Sequence, residues 1–256
     1  MAGYEHFAPF YDEVMDDPTP RAVRVIDAID RHRPEAASLL ELGCGTGSML
    51  ERLGRVPALV GLDRSPEMLA IAGGKVPRAE LVEGDMSSFS LDRQFDVVIC
   101  VFDTLNHLLT FDAWLSSFDA VAAHLAPGGL FIFDVNTIGE LRRLGEDPAA
   151  VYDFDGGVAI IDVSFAGDGV DSGNSGDSGD SGDSLWDIRI FEDLGGCRYR
   201  LHHEQIGELG VRLARLTSAI QPRFEILELS DERGAAADDD SIKAHFVLRQ
   251  PPGRNP

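Results

Sequence analysis

The chain has 256 residues, 44% of them hydrophobic, and its 44 acidic against 22 basic side chains give a formal net charge of −22. That length and apolar content suit one large domain, or one domain with an appendage, around a substantial core. An excess of negative charge repels phosphate backbones, which argues against nucleic acid as a partner, and no run approaches the ~18 apolar residues of a membrane span.

Cys44, Cys100 and Cys197 form no CxxC pair. This argues against a disulfide framework and a thiolate zinc site and fits a reducing cytoplasm. The opening MAGYEHFAPFYDEV lacks the basic region and apolar stretch of a signal peptide. A cytoplasmic protein with a small or cationic substrate is expected, although an acidic surface also serves solubility alone.

Residues 20–33 place Val23, Ile26, Ala28 and Ile29 at helical spacing, with Thr19 as the cap and Pro20 in the first turn. Residues 38–42 read as a buried strand, 46–54 as a helix carrying Met49, Leu50 and Leu53, and 57–62 as the next strand. Ser65 caps a helix that Pro66 and Glu67 open and that runs to about Ile71. Residues 79–83 and the almost wholly apolar 95–101 are strands, the second of the kind found inside a parallel sheet. A helix over 112–124, a turn at Pro127-Gly128-Gly129 and a buried strand over 130–135 follow. Strands alternate with helices five times, the pattern of an α/β fold with a mostly parallel sheet.

The rhythm changes near residue 145. Residues 151–165 and 185–206 are alternating or aromatic-rich segments, expected to form a two-stranded excursion. The Gly/Asp/Ser tract 167–184 at its tip has too little apolar content to offset the entropy of ordering and reads as a flexible loop. A calcium-binding repeat is the alternative, but the tract lacks the hydrophobic position of the β-roll nonapeptide. Residues 208–220 read as a helix on Val211, Leu213, Leu216 and Ile220. Residues 224–229 and 242–248 read as the last strands, joined by the exposed DERGAAADDD, and PPGRNP as a disordered tail.

The first strand ends in ELGCGTG, residues 41–47. Ligands of α/β sheets bind beyond the carboxyl ends of the strands. Glycines 43, 45 and 47 allow a tight turn and close approach to backbone, and the following helix offers free N–H groups. The dinucleotide fingerprint GxGxxG is out of step, because Ser48 stands at its third glycine, and GxxxxGK[ST] is missing. Asp63, ending the second strand, can accept both hydroxyls of a ribose. Asp85, after the third, can accept from an exocyclic base amine or cap the next turn. Phe102, Asp103, Asn106 and His107 crowd the end of the fourth, where Phe102 can pack on a ligand and Asn106 and His107 can instead cap a helix. These residues alone point to a nucleoside-containing ligand, with dinucleotide and other nucleoside cofactors both open.

Taken together, ELGCGTG, GLDRSPEML, GDM, FDVVICVFDTLNHL and LAPGGLFIFDV, in this order and spacing, resemble the class I S-adenosylmethionine-dependent methyltransferases. The resemblance is strong over residues 7–135 and loose beyond. YDEVMD and FDTLNHL are most similar to the small-molecule branch that includes amino-sugar N,N-dimethyltransferases. It implies a Rossmann-like α/β fold: a seven-stranded, mostly parallel sheet with an antiparallel last strand, plus an antiparallel β insertion. Residues 1–144 would hold the N-terminal helices and cofactor-binding core, 145–206 the substrate-covering insertion, and 207–250 the C-terminal helix and last two strands.

The implied cofactor is S-adenosyl-L-methionine. Glu41, Gly43 and Gly45 would lie by its methionine portion, and Asp63 would hold the ribose. Arg64 and Met68 would flank the adenine, Asp85 would bind its amine with Met86 nearby, and Phe102 would lie beneath the sulfonium. Tyr11 would touch the cofactor carboxylate or simply pack its helix. The implied activity is methyl transfer to a nitrogen or oxygen of a small molecule. A sulfonium methyl is already activated, so alignment of the nucleophile matters most, and a base helps a hydroxyl or an ammonium. His107 is the candidate base, with His202 and His203 weaker ones. Asp103, Asn106 and His107 are the candidate substrate contacts, Asp103 by attracting an ammonium. No metal is expected, since acids to partner Asp134 are not evident. The expected partners are a small-molecule substrate and, through the insertion, a second copy in a homodimer, with neither nucleic acid nor membrane. An NAD-dependent oxidoreductase and a non-catalytic cofactor-binding scaffold are the competing readings.

Overall fold

Two sheets organise the chain, seen in a computed structural model that describes residues 4–166 and 181–251. The larger comprises β1 (Ser38–Leu42), β2 (Ala58–Asp63), β3 (Glu80–Glu83), β4 (Phe95–Cys100), β5 (Leu125–Asn136), β10 (Glu225–Ser230) and β11 (Lys243–Arg249), in the order β10-β11-β5-β4-β1-β2-β3. The first five run parallel, and β11 runs antiparallel to both β5 and β10. This is the expected α/β sheet with its antiparallel last strand.

The strands are apolar throughout because both faces are covered. Successive residues of a strand point to opposite faces. Leu40, Val98 and Phe131 pack under α5 (Phe111–His124), whereas Leu39, Val97 and Ile132 pack under α2 (Thr19–His32) and α3 (Ser48–Arg52). Each fully buried side chain of this size is worth about 1.5–3 kcal/mol. Phe133 stacks on Phe246 of β11 with centroids 4.6 Å apart and planes 8° from parallel, so the antiparallel strand is locked to β5 by rings as well as by its ladder.

Local details differ from expectation. Thr19 lies inside α2 rather than capping it, and its N–H is accepted by Asp17 Oδ1 at 2.9 Å. α4 (Pro66–Lys75) opens on the expected Ser65 cap but continues through Gly73 and Gly74, because burial of Met68 and Ala72 overrides weak glycine propensity. The Pro127-Gly128-Gly129 turn lies within β5: pairing with β4 jumps from Phe95↔Leu125 to Val97↔Leu130, which makes it a bulge. α6 (Ile138–Glu146), capped by Thr137, was not anticipated.

The excursion is a four-stranded antiparallel sheet rather than two strands: β6 (Ala150–Phe154), β7 (Gly157–Ala166), β8 (Ser181–Asp193) and β9 (Tyr199–Val211), in that order. Residues 181–184 of the Gly/Asp/Ser tract belong to β8 and pair with β9, and 167–180 lie outside the described residues. So do residues 252–256 of the tail. β9 continues to Val211, so the helix expected from 208 starts later, as α7 (Leu213–Ile220), with Asp239 Oδ1 accepting the Leu213 N–H at 2.7 Å.

Replacing Phe133 by alanine is expected to lower stability by about 3–5 kcal/mol in urea titrations, and Val23→Ala on the exposed face of α2 by no more than about 0.5 kcal/mol.

Candidate active site

β1 ends at the sheet's carboxyl edge, and the chain turns there through three glycines with positive φ: Gly43 at 64°, Gly45 at 50° and Gly47 at 79°. Only glycine enters this region without strain. A Cβ on Gly43 would come within 2.2 Å of Thr104 Cγ2, whereas one on Gly45 would meet nothing within 4 Å. The loop is therefore packed behind Gly43 and open in front of Gly45. Asp63, at the end of β2, accepts the Gly45 N–H with Oδ2 at 2.8 Å and the Ser65 N–H with Oδ1 at 2.9 Å, which fixes its carboxylate against the loop. Glu41 is 3% exposed, and its Oε2 is buried without a partner. Burial, and then the charge of Asp63, push its pKa well above the usual carboxylate range.

Farther along the rim, Met68 is buried in the first turn of α4, its N–H donating to Ser65 Oγ at 3.2 Å. Asp85 caps the turn after β3, accepting from Ser87 N–H at 2.8 Å and Ser87 Oγ at 2.6 Å, so the alternative duty read from sequence is present. Burial raises its pKa, but these bonds and the charge of Arg64 outweigh it, and the carboxyl is held low. Met86 packs against the core under α5.

After β4, Phe102 (φ 64°) and Asp103 (φ 52°) are consecutive non-glycine residues in the left-handed region. Such geometry costs of order 1–3 kcal/mol per residue and persists only where surroundings over-determine it. Here the Asp103 N–H donates to Asp134 Oδ1 at 2.8 Å, and Lys243 donates to the Asp103 carboxylate. The Arg21 guanidinium lies 4.0 Å over the Phe102 ring and pairs with Asp134 at 3.6 Å. Burial alone would raise the Asp103 pKa, but Lys243 and Arg21 bring it below the ordinary value. Asp134 thus serves the turn, with Arg21 as its ionic neighbour and His245, which burial keeps neutral, 3.9 Å away.

Two cavities meet at this point. One, of about 350 Å³, runs along Glu41, Gly43, Gly45 and Thr46. The other, of about 220 Å³, is bounded by Asp103, His107, Glu208 and Lys243 on the rim side and by Ile161, Trp186 and other side chains of the second sheet opposite. Tyr11 and Phe102 line both.

His107 lies in the second cavity. Its Nε2 is 3.1 Å from Tyr4 OH and its Nδ1 3.4 Å from Gly207 O. A carbonyl only accepts, so the proton is assigned to Nδ1 and Nε2 accepts from the tyrosine. Burial lowers its pKa despite Asp103, and the ring is neutral. Asn106, expected at the substrate, is fully buried: it donates to Asn136 O and Leu209 O at 3.1 and 3.0 Å and accepts the Asn136 N–H at 3.1 Å. Its amide is spent joining β5 to β9. Asp103, expected to attract an ammonium, already has its charge compensated by Lys243 and Arg21. His202 and His203 pair with Glu192 and Asp187 at 2.8 and 2.9 Å, away from both cavities. Glu208, Lys243, Arg21 and Tyr4 were missed. For Glu208 a signal existed: it follows Ile206 by two positions in a period-2 strand and so shares its inward face.

Known proteins give the same picture. The family model "Methyltransferase domain" matches residues 39–129. The chain is 41% identical over 107 residues to the dTDP-3-amino-3,6-dideoxy-alpha-D-glucopyranose N,N-dimethyltransferase of Streptomyces fradiae, covering 41% of this chain and 42% of that one. It is 34% identical over 170 residues to YqeM of Bacillus subtilis, named as a methyltransferase, covering 64% and 67%. The chain thus spans about half the length, 42% and 50%, of the first two curated sugar dimethyltransferases it matches. Among solved structures, an S-adenosylmethionine-dependent methyltransferase from Clostridium acetobutylicum superposes with TM-score 0.80 at 23% identity, covering 97% and 99%, which speaks to fold. An amino pentose methyltransferase from Micromonospora echinaspora, bound to S-adenosylmethionine, superposes with TM-score 0.69 at 26% identity, covering 90% of each chain.

The N-terminal segment is clasped over the glycine loop by α1 (Tyr11–Val14). Asp12 Oδ1 accepts from Thr46 Oγ1 at 2.7 Å and Ser48 Oγ at 2.9 Å, and Oδ2 from Lys75 at 2.5 Å. Partial burial raises the Asp12 pKa, but the bonds from Lys75, Thr46 and Ser48 outweigh it, and the net shift is downward. The clasp is therefore fully formed above the ordinary carboxylate pKa and lost as pH falls through the lowered one. Hydrogen exchange of residues 4–14 should accelerate in the wild type only below about pH 4, and D12N should show the same acceleration at neutral pH.

Proposed function

The chain belongs to the class I S-adenosylmethionine-dependent methyltransferases, and from that premise we propose that it transfers the sulfonium methyl to a nitrogen of a small molecule. The meeting of a glycine-floored groove with a cavity that the second sheet walls with apolar side chains, at Tyr11 and Phe102, carries this reading. A cavity of about 220 Å³ suits one small acceptor. Relatives named as N,N-dimethyltransferases of amino sugars favour nitrogen over oxygen.

The residues present fit the cofactor. Gly45 leaves open space where a ligand backbone would lie, and Glu41 has a buried oxygen in want of a donor, such as an ammonium. Glu41, Gly43 and Gly45 would hold the methionine portion, and Asp63, braced by two backbone N–H groups, the ribose. Arg64, Met68, Asp85 and Met86 would take the adenine. When bound, the cofactor supplies a methyl already activated on a positively charged sulfur. The protein's part is orientation: the strained Phe102 turn and Tyr11 narrow the junction, and the apolar wall excludes water from the acceptor.

Calorimetry tests this directly. The wild type should bind S-adenosylmethionine and its demethylated product, and NADH should not bind. D63A should weaken binding about 10- to 100-fold, as expected for loss of a hydrogen-bonded charged acceptor. Binding without methyl transfer to any member of an amine panel would favour a scaffold instead.

A further inference from the structure

Among the described residues that the second sheet sends into the acceptor cavity, Tyr152, Ile161, Trp186, Ile188, Ile206 and Glu208, only Glu208 can carry charge near neutral pH. It is 3% exposed. Its Oε2 accepts from Asn136 Nδ2 at 3.0 Å, a neutral donor. The nearby ammonium of Lys243 is already held by the Asp103 carboxylate and by Asn136 Oδ1 at 2.7 Å. A buried carboxylate with a neutral partner, in an apolar wall, favours a cation that arrives with the ligand.

We propose that Glu208 is a catalytic residue that binds the acceptor's ammonium and takes its proton. This rests on methyl transfer to nitrogen. In the step, an N–H bond of the ammonium breaks, an O–H bond forms on the carboxylate, and nitrogen keeps the electron pair. That pair then forms the bond to the methyl carbon while the carbon–sulfur pair stays on sulfur. The methylated ammonium carries away the positive charge, and Glu208 returns its proton to solvent as product leaves. A second methylation repeats the cycle on the same nitrogen.

The other candidates in the cavity are less suited. His107 already has Tyr4 and Gly207 at its two nitrogens, and burial disfavours its charged form. Asp103 is committed to Lys243 and Arg21. Burial, and then the charge of Asp103, raise Glu208 to about 8, nearer to an amine than an ordinary carboxylate stands. Besides Glu208, the titratable and charged groups facing this cavity are Tyr4, Tyr11 of α1, Asp16, Arg21 of α2, Asp103 and His107 after β4, Glu140 of α6, Tyr152 of β6 and Lys243 of β11. Arg21 and Lys243, its two basic groups, both face Asp103, so the acceptor implied is a primary or secondary amine on an uncharged body.

The test uses the full chain with cyclohexylamine, tyramine and glucosamine as acceptors, following methyl transfer by mass spectrometry, and continues with the best of them. Wild-type kcat/KM should rise with pH through about 8, because the base form of a raised carboxyl accumulates only above its pKa. E208Q should bind S-adenosylmethionine as the wild type does in calorimetry. It should lose about 10²- to 10⁴-fold in kcat along with the rise, and E208D should recover part of both. The infrared difference spectrum of wild type minus E208Q should show a protonated-carboxyl band titrating near 8, the Glu41 carboxyl being common to both and cancelling. A wild type that methylates these amines while E208Q keeps its rate and pH profile overturns the assignment to Glu208, as does absence of the band. A wild type that binds the cofactor but methylates none of the three overturns nitrogen transfer itself, and the assignment with it.

Discussion

A parallel sheet buried on both faces leaves one place for a ligand, the edge where its strands end. α2 and α3 close one face, and α5 closes the other with α7. Every residue of β1 after Ser38 is buried. Polar side chains that the core rejects therefore gather at the carboxyl rim: Glu41, Asp63, Asp85 and Asp103 all stand at or just beyond a strand end. The chemistry of this protein follows from that exclusion, since a backbone turn at the rim is the one part of the sheet a ligand can approach closely.

The rim is held by charge as well as by packing. Asp103, Asp134, Arg21 and Lys243 form a largely buried ionic group, Asp134 fully so and the other three partly, that joins α2, the turn after β4, β5 and β11. Burying such charges is expensive, and pairs of this kind contribute less to stability than their geometry suggests. What the group does secure is the left-handed conformation of Phe102 and Asp103, which sets the Phe102 ring between the two cavities. Burial opposes charge on Lys243, yet Asp103 and Asp134 keep its pKa above the ordinary value, so the ammonium persists. The second sheet completes the arrangement by supplying an apolar wall and, through Asn106 and Asn136, a hydrogen-bonded seam to the first sheet.

Most of the large sheet was legible in the sequence because its signals are local. β1, β2, β4 and the two last strands are apolar runs between turn residues, and Ser65-Pro66 announces its helix wherever it sits in space. The second sheet was legible only in part: β6 and β9 are edge strands with one face toward solvent, and Val151 and Leu201 break the alternation on the exposed side. α6 follows β5 with only Thr137 between them, and its Ile138, Leu141 and Leu144 were passed over at the change of rhythm.

The site divides the same way. The glycine loop, Asp63 and Phe102 were visible because backbone conformation and strand ends are written in neighbouring residues. Asn106 was misjudged because its partners, Asn136 and Leu209, lie 30 and 103 positions away, and nothing near it says that its amide is already engaged. Glu208, Lys243 and Arg21 come from three distant segments. Whether each is free, paired or buried depends on the others, and that dependence exists only once the strands are side by side. The sequence by itself determined the large sheet and, through its resemblance, the class of cofactor; the tertiary structure alone decided which charges cancel and that Glu208 lines the second cavity with a neutral partner.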